Sequence, residues 1–225
     1  MTILENILWR SLSGTHAHLT AGTASARRYA RGYSPLIGFA DPRNPDWAGL
    51  APHCAPGEKF YCADWSGPEP KGWTIHVDAS MCAMLWEGAK PEADPTLEPM
   101  RLGPFHVPQA MRLTELTRPG PFAERTVELG EWFGVFENGQ LIAMAGERLQ
   151  AGNLHEVSGI CTHPDHQGRG LAKRLTDLMI RTQMERGEVP FLHVASANTR
   201  ARALYERMGF RLDREVPMRV VSRNA

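Results

Sequence analysis

Residues 163–172 read HPDHQGRGLA, with Gly168 and Gly170 on either side of Arg169 just before a helical pattern. Glycine is a poor helix former, so a pair of them at a helix start asks for a reason beyond propensity. The first N–H groups of a helix have no intrahelical acceptor, and the peptide dipoles place partial positive charge there. Glycine adopts positive φ and lets an anion approach the backbone. A strand, a Gly-rich turn and a helix N-terminus together make an anion site, to which Gln167 and Arg169 add side-chain donors. The stretch is not a Walker loop, because G-x-x-x-x-G-K-[ST] is absent. It is not the dinucleotide fingerprint G-x-G-x-x-G either, because Leu171, Ala172 and Lys173 follow Gly170. Taken alone, the glycines fit either a phosphate cradle or a tight turn before a surface helix.

Other chemistries are excluded more directly. Cys54, Cys62, Cys82 and Cys161 contain no C-x-x-C pair. With His53 and His76 the first three lack the close ligand pairs of structural zinc sites, so free buried thiols are expected and no metal. Lys plus Arg number 25 and Asp plus Glu number 25, a net charge of zero. Such a balance gives no pull towards nucleic acid or an acidic membrane. The N-terminus lacks the basic and apolar regions of a signal peptide, and no run approaches the ~20 apolar residues of a membrane span. A soluble, cytoplasmic protein is expected.

The elements around the glycines follow from periodicity. HEVSGICT (155–162) reads as a strand ending at Pro164. Leu171, Leu175, Leu178 and Met179 then mark one helical face, closed by Gly187. FLHVA (191–195) is a short apolar strand. Ala201, Leu204, Tyr205 and Met208 mark another helix, stopped by Gly209, and Phe210 to Val221 is strand material interrupted at Pro217. Upstream, Asn138-Gly139 between two apolar runs signals a hairpin, and a helix starts at 110 and breaks at Pro119. The first half is less regular. Helices are expected over 3–12 and 24–29, and strands at 34–40, 59–65, 73–79 and 81–87. Residues 90–99, rich in proline and acids, read as an exposed linker, with a boundary near 105. The order is an α/β layer with mixed strands.

Gln167-Gly168-Arg169-Gly170-Leu171-Ala172 matches Q/R-x-x-G-x-G/A. After one more strand comes Asn198, then Tyr205, then Gly209-Phe210, an N-x6-Y-x3-GF arrangement. Residues 110–222 therefore resemble the GNAT superfamily of acyl-CoA-dependent N-acyltransferases, most closely its FR47-like branch, related to glycine N-acyltransferases. The resemblance implies a GNAT fold: a mixed, mostly antiparallel sheet flanked by helices. Residues 106–225 would form the acetyltransferase domain. Residues 1–105 would be an α/β region that is a candidate degenerate copy of the same fold. Trp65, Trp73 and Trp86 either line an acceptor pocket there or belong to a core.

The resemblance also implies roles. The amides of Gln167, Gly168, Arg169, Gly170, Leu171 and Ala172 would hold the coenzyme A pyrophosphate. Ile160, Cys161 and Thr162 would pair with the pantetheine arm, with the Ile160 N–H stabilising the developing oxyanion. Asn198 would contact the cofactor, and Tyr205 would lie near the sulfur.

Acyl transfer to an amine needs a neutral amine, a polarised carbonyl and a protonated leaving thiolate. An alkylammonium of pKa ~10.4 is neutral in only about one molecule in 10³ near pH 7, so a general base helps. Glu156 is the leading base. It lies eleven residues before Gln167, and in the histone acetyltransferase branch a catalytic glutamate holds the matching place; the alternative is a solvated strand-end carboxylate. His155 points to the opposite face by strand alternation. Glu131, Glu147 and His193 are weaker candidates. Tyr205 is the leading acid, its alternative a core tyrosine. Cys161 lacks an activating partner and reads as structural. Arg169 is a candidate phosphate ligand, and Lys173 and Arg174 are weaker ones. The expected function is acetyl-CoA-dependent N-acetyl transfer to a small-molecule amine or amino acid in a ternary complex. The alternative is a non-catalytic acyl-CoA-binding sensor or scaffold.

Overall fold

The computed structural model describes residues 2–225. In chain order it contains α1 (Ile7–Ser13), β1 (Thr20–Gly22), β2 (Ala26–Tyr29), β3 (Leu36–Phe39), α2 (Trp47–Leu50), β4 (Lys59–Ala63), β5 (Trp73–Trp86) and β6 (Met100–Arg101). There follow α3 (Val107–Thr117), β7 (Trp132–Glu137), β8 (Gln140–Ala151), β9 (Leu154–Thr162), α4 (Leu171–Glu185), β10 (Val189–Ala195), α5 (Thr199–Met208) and β11 (Phe210–Arg223).

These elements gather into two compact units. One holds the chain up to Arg31, Pro35–Glu87 and His193–Ala225; the other holds Gly32–Ser34 and Gly88–Leu192. The division expected near 105 runs along the chain, whereas the units are not contiguous in it, because β11 joins the first unit's strands.

In the first unit the strand order is β1-β2-β3-β4-β11-β5. Only β3 and β4 are parallel. The core collects Ile37, Phe39, Phe60, Trp65, Trp73 and Val221. Trp47 meets Phe39 and Trp65 edge-on, at 4.6 and 4.9 Å between ring centroids. Trp86 packs on Phe210 at 5.0 Å. Trp65, Trp73 and Trp86 are thus buried core residues.

In the second unit the order is β10-β9-β8-β7-β6, with β10 and β9 parallel and the rest antiparallel. Asn138 and Gly139 turn β7 into β8 with φ of 50° and 77°, the geometry Asn-Gly favours. Helix α3 buries Ala110 and Leu113 among Trp132, Leu141, Met144 and Cys161. Helix α4 buries Leu171, Leu175, Met179 and Ile180.

Four expectations change. Residues 26–29 form a strand rather than a helix, because pairing to β1 and β3 overrides local propensity. The stretches 73–79 and 81–87 are one strand that continues through Ser80. Pro217 does not interrupt β11; it sits one residue past the last β4 pair, Met218 with Ala63, where proline is tolerated. The segment 90–99 is not wholly a free linker: Leu97 is buried, and Asp94 accepts from Arg174 Nε at 2.6 Å.

Candidate active site

Two bulges, one on each strand, shape the β8–β9 pair. Between the pairs Met144/Cys161 and Gly146/Ser158, Gly159 and Ile160 stand opposite the single residue Ala145. Gly159 has φ of 62°, the left-handed conformation that a glycine bulge requires. The bulge takes one residue of β9 out of the ladder at Ile160. Parallel pairing to β10 joins Leu154/Val189, His155/Pro190 and Glu156/Phe191, and no pair follows. Residues 157–162 therefore run on with β8 as their paired neighbour within this unit. A free strand edge of this kind can take an extended amide-bearing chain. Cys161 lies buried here, and burial pushes its thiol up to about 11. A thiol so buried is a poor nucleophile, in keeping with the structural reading of the sequence. The Thr162 hydroxyl oxygen is buried without a hydrogen-bond partner among the described residues.

The second bulge lies on β8. Between Glu147/Val157 and Gln150/His155, Arg148 and Leu149 oppose the single residue Glu156. Arg148 Nε and Nη2 each donate to a Glu156 carboxylate oxygen at 3.1 Å. Glu156 is 1% exposed and Arg148 13%. The expected base is therefore no solvated strand-end carboxylate; it is buried and gripped at both oxygens. Arg148 was missed in the sequence because the bulge, invisible there, sets its register.

The loop after β9 carries the two glycines of the anticipated anion site. Gln167, Gly168, Arg169 and Gly170 are exposed. Gly168 and Gly170 have φ of 80° and 72°, and a Cβ on either would meet nothing within 4 Å. Backbone conformation, not crowding, is what requires glycine there. Gln167 N–H already bonds Pro164 O at 3.3 Å, and Arg174 N–H bonds Gly170 O at 3.0 Å. The amides from Gly168 to Lys173 have no backbone acceptor among the described residues. This open turn at the N-terminus of a fifteen-residue helix fits a diphosphate. The nearby cations already have partners: Arg169 with Glu137 at 3.0 Å, Lys173 with Asp177 at 2.6 Å, and Arg174 with Asp94 at 2.6 Å.

In the first unit, Asn198 caps α5, its Oδ1 accepting from Ala201 N–H at 3.1 Å. Tyr205 is the buried residue of α5, with its ring 5.9 Å from that of Phe210. Burial pushes its phenol up to about 12.

The weaker base candidates separate. His155 faces Glu188 at 3.3 Å and Glu147 at 3.8 Å. Burial pushes the Glu147 carboxyl up, but hydrogen bonds from His155, the Glu131 N–H and Gln183, with the Arg186 charge, hold it at about 2. Glu147 and Glu131 share Arg186 as an ion-pair partner, so both serve a structural network. His155, Glu147 and Glu188 could hold a metal by distance. Arg186, paired to Glu147 and Glu188, already supplies the positive charge there. His193 is half-buried in the first unit.

Residues 132–220 match the family model of FR47-like proteins. A GNAT-family protein from Novosphingobium aromaticivorans DSM 12444 is 34% identical over 99% of both chains, with a TM-score of 0.91. A GCN5-related N-acetyltransferase from Kribbella flavida superposes with a TM-score of 0.66 at 16% identity, covering 100% of this chain and 97% of its own. A GCN5-related N-acetyltransferase-like protein from Streptococcus suis 89/1591 gives 0.62 at 15%, covering 95% and 92%. These last two share the fold. No curated protein matches the chain.

Proposed function

The chain belongs to the GNAT family of acetyltransferases, and we propose that it moves an acetyl group from acetyl-CoA to a primary amine by direct transfer in a ternary complex. The carrying observation is the pairing of a bulged, half-free strand with an open glycine turn at a helix N-terminus. A thioester is already activated, so no covalent enzyme intermediate is needed.

Each residue then has a task. The amides from Gly168 to Ala172 hold the diphosphate, and Gln167 borders them. Ile160, Cys161 and Thr162 offer a strand edge to the pantetheine amides, with the Ile160 N–H aimed at charge developing on the carbonyl oxygen. Asn198 caps its helix and contacts the cofactor. Tyr205 gives its proton to the leaving sulfur; burial makes this phenol a weak acid, at about 12, so the transfer to a less basic thiolate is uphill and follows C–S cleavage. Glu156 takes the amine's proton. Because Arg148 holds both its oxygens, that proton arrives through water or as the pair loosens. A small-molecule amine or amino acid is the acceptor, and the cytoplasm is the setting.

One observation favours a second reading, a non-catalytic acyl-CoA-binding sensor. Glu156 and Tyr205, the two proton-handling candidates, are both buried. The test is thiol release from acetyl-CoA across a panel of amines and amino acids, with Glu156→Gln as control. Amine-dependent release that the variant loses supports the enzyme. Tight cofactor binding with no release on any amine supports the sensor.

A further inference from the structure

Glu137 closes β7 beside the Asn138-Gly139 turn, and the loop that carries Gly168 and Gly170 leans on it. Its Oε1 accepts from Arg169 Nη1 at 3.0 Å, and its Oε2 lies 3.1 Å from His166 Nδ1. Arg169 Nη1 also lies 3.0 Å from His166 Nδ1, so the three side chains form one cluster. The base of the cluster is fixed. Gln109 Nε2 donates to Gly139 O at 3.2 Å and its Oε1 accepts from Leu141 N–H at 2.8 Å, which pins the hairpin tip to α3. The loop side is open: a Cβ on Gly168 or Gly170 would meet nothing within 4 Å, and the Arg169 side chain is 49% exposed.

On the reading that this loop holds the cofactor's diphosphate, we propose that Glu137 is an internal competitor for Arg169, and that cofactor binding exchanges a carboxylate for a phosphate on that guanidinium. Arg169 Nη1 donates to Glu137 Oε1 and has His166 Nδ1 at its side. A diphosphate at the turn carries more charge than one carboxylate and takes the guanidinium over. The exposed pair is weakly held, so it separates at little cost. His166 remains beside Glu137 after the exchange and keeps the carboxylate from standing alone. Other charged or titratable neighbours are few: the His163 ring lies 5.5 Å from that of His166, and Asp165 lies 3.8 Å from His163 Nδ1. Glu137 thus orients Arg169 over the turn in the free protein and lowers the affinity for diphosphate-bearing ligands. It is a positioning residue that acts through Arg169.

The test is titration calorimetry at low and high salt on the full chain, with acetyl-CoA and with S-acetylpantetheine, which lacks the diphosphate. Glu137→Gln should tighten acetyl-CoA about two- to fivefold at low salt, and less at high salt. It should leave S-acetylpantetheine unchanged. In an Arg169→Gln background the gain from Glu137→Gln should fall to less than half. Unchanged or weaker acetyl-CoA binding by Glu137→Gln overturns the competition, as does an equal change for both ligands. Wild-type protein that binds no acetyl-CoA overturns the acyl-transfer reading and this inference together. Wild-type binding with no gain in the variant overturns this inference alone.

Discussion

Arg148 and Glu156 form a two-pronged ion pair inside the second unit, each contact 3.1 Å, on a carboxylate that is 1% exposed. The β8 bulge makes it possible by setting residues 148 and 149 against one residue of β9. The pair fixes the orientation of the carboxylate assigned as base and ties that assignment to fold stability.

Arg148→Met should leave a buried carboxylate without its guanidinium and cost about 3–5 kcal/mol of unfolding free energy. The double variant Arg148→Met with Glu156→Met should recover most of that loss. Urea denaturation at neutral pH measures both. A single-variant cost below about 1 kcal/mol would show that the pair behaves like a surface one.

Two glycines should fail in different ways. A Cβ at Gly159 would lie 2.5 Å from Trp132 Cζ3, and Trp132 is fully buried. Gly159→Ala should therefore lower the melting temperature by the equivalent of about 3 kcal/mol or more, from overpacking and positive φ together. Gly168→Ala meets open space and should cost about 1–2 kcal/mol from φ alone. Its larger effect should be on acetyl-CoA affinity, and equal thermal losses in the two variants would contradict this contrast.

Glu147 sets an acid limit. Its carboxyl is lowered from an ordinary 4.5 to about 2, since three hydrogen bonds and the Arg186 charge outweigh burial. A depressed carboxyl contributes stability that is full above the unfolded value and disappears as pH falls through the folded one. Stability should thus decline between about pH 4.5 and 2, and Glu147→Gln should flatten that part of the profile. Parallel wild-type and variant curves across this window would remove Glu147 from the acid response.

Tyr205 separates packing from chemistry. Its hydroxyl has no hydrogen-bond partner among the described residues, so Tyr205→Phe should leave the melting temperature nearly unchanged. Loss of a general acid should slow transfer by about 10²–10⁴. A spectrophotometric titration should find one tyrosine, absent from the variant, that ionises only near pH 12. Full activity in Tyr205→Phe would assign the ring to the core with Phe210.

The second unit was the more legible in sequence, for a physical reason. Its helices and hairpin are set by local signals: Asn138-Gly139, the apolar face from Leu171 to Met179, and Gly187 at a helix end. Residues 26–29 and Ser80 take their conformation from strands distant in the chain, which periodicity does not encode. In the candidate site, the glycine turn was visible because positive φ leaves a residue-type signature. Gly159, inside a strand pattern, was an available sign of a bulge. Arg148 and Glu137 left no such sign, since each acts through register and side-chain reach.

Titration calorimetry with acetyl-CoA, with ATP and NAD as controls, tests the central claim most directly. The account predicts about micromolar binding of acetyl-CoA and none comparable for ATP or NAD. Folded protein that binds neither acetyl-CoA nor longer acyl-CoAs, or that takes ATP equally well, would contradict it and reduce Gly168 and Gly170 to a turn.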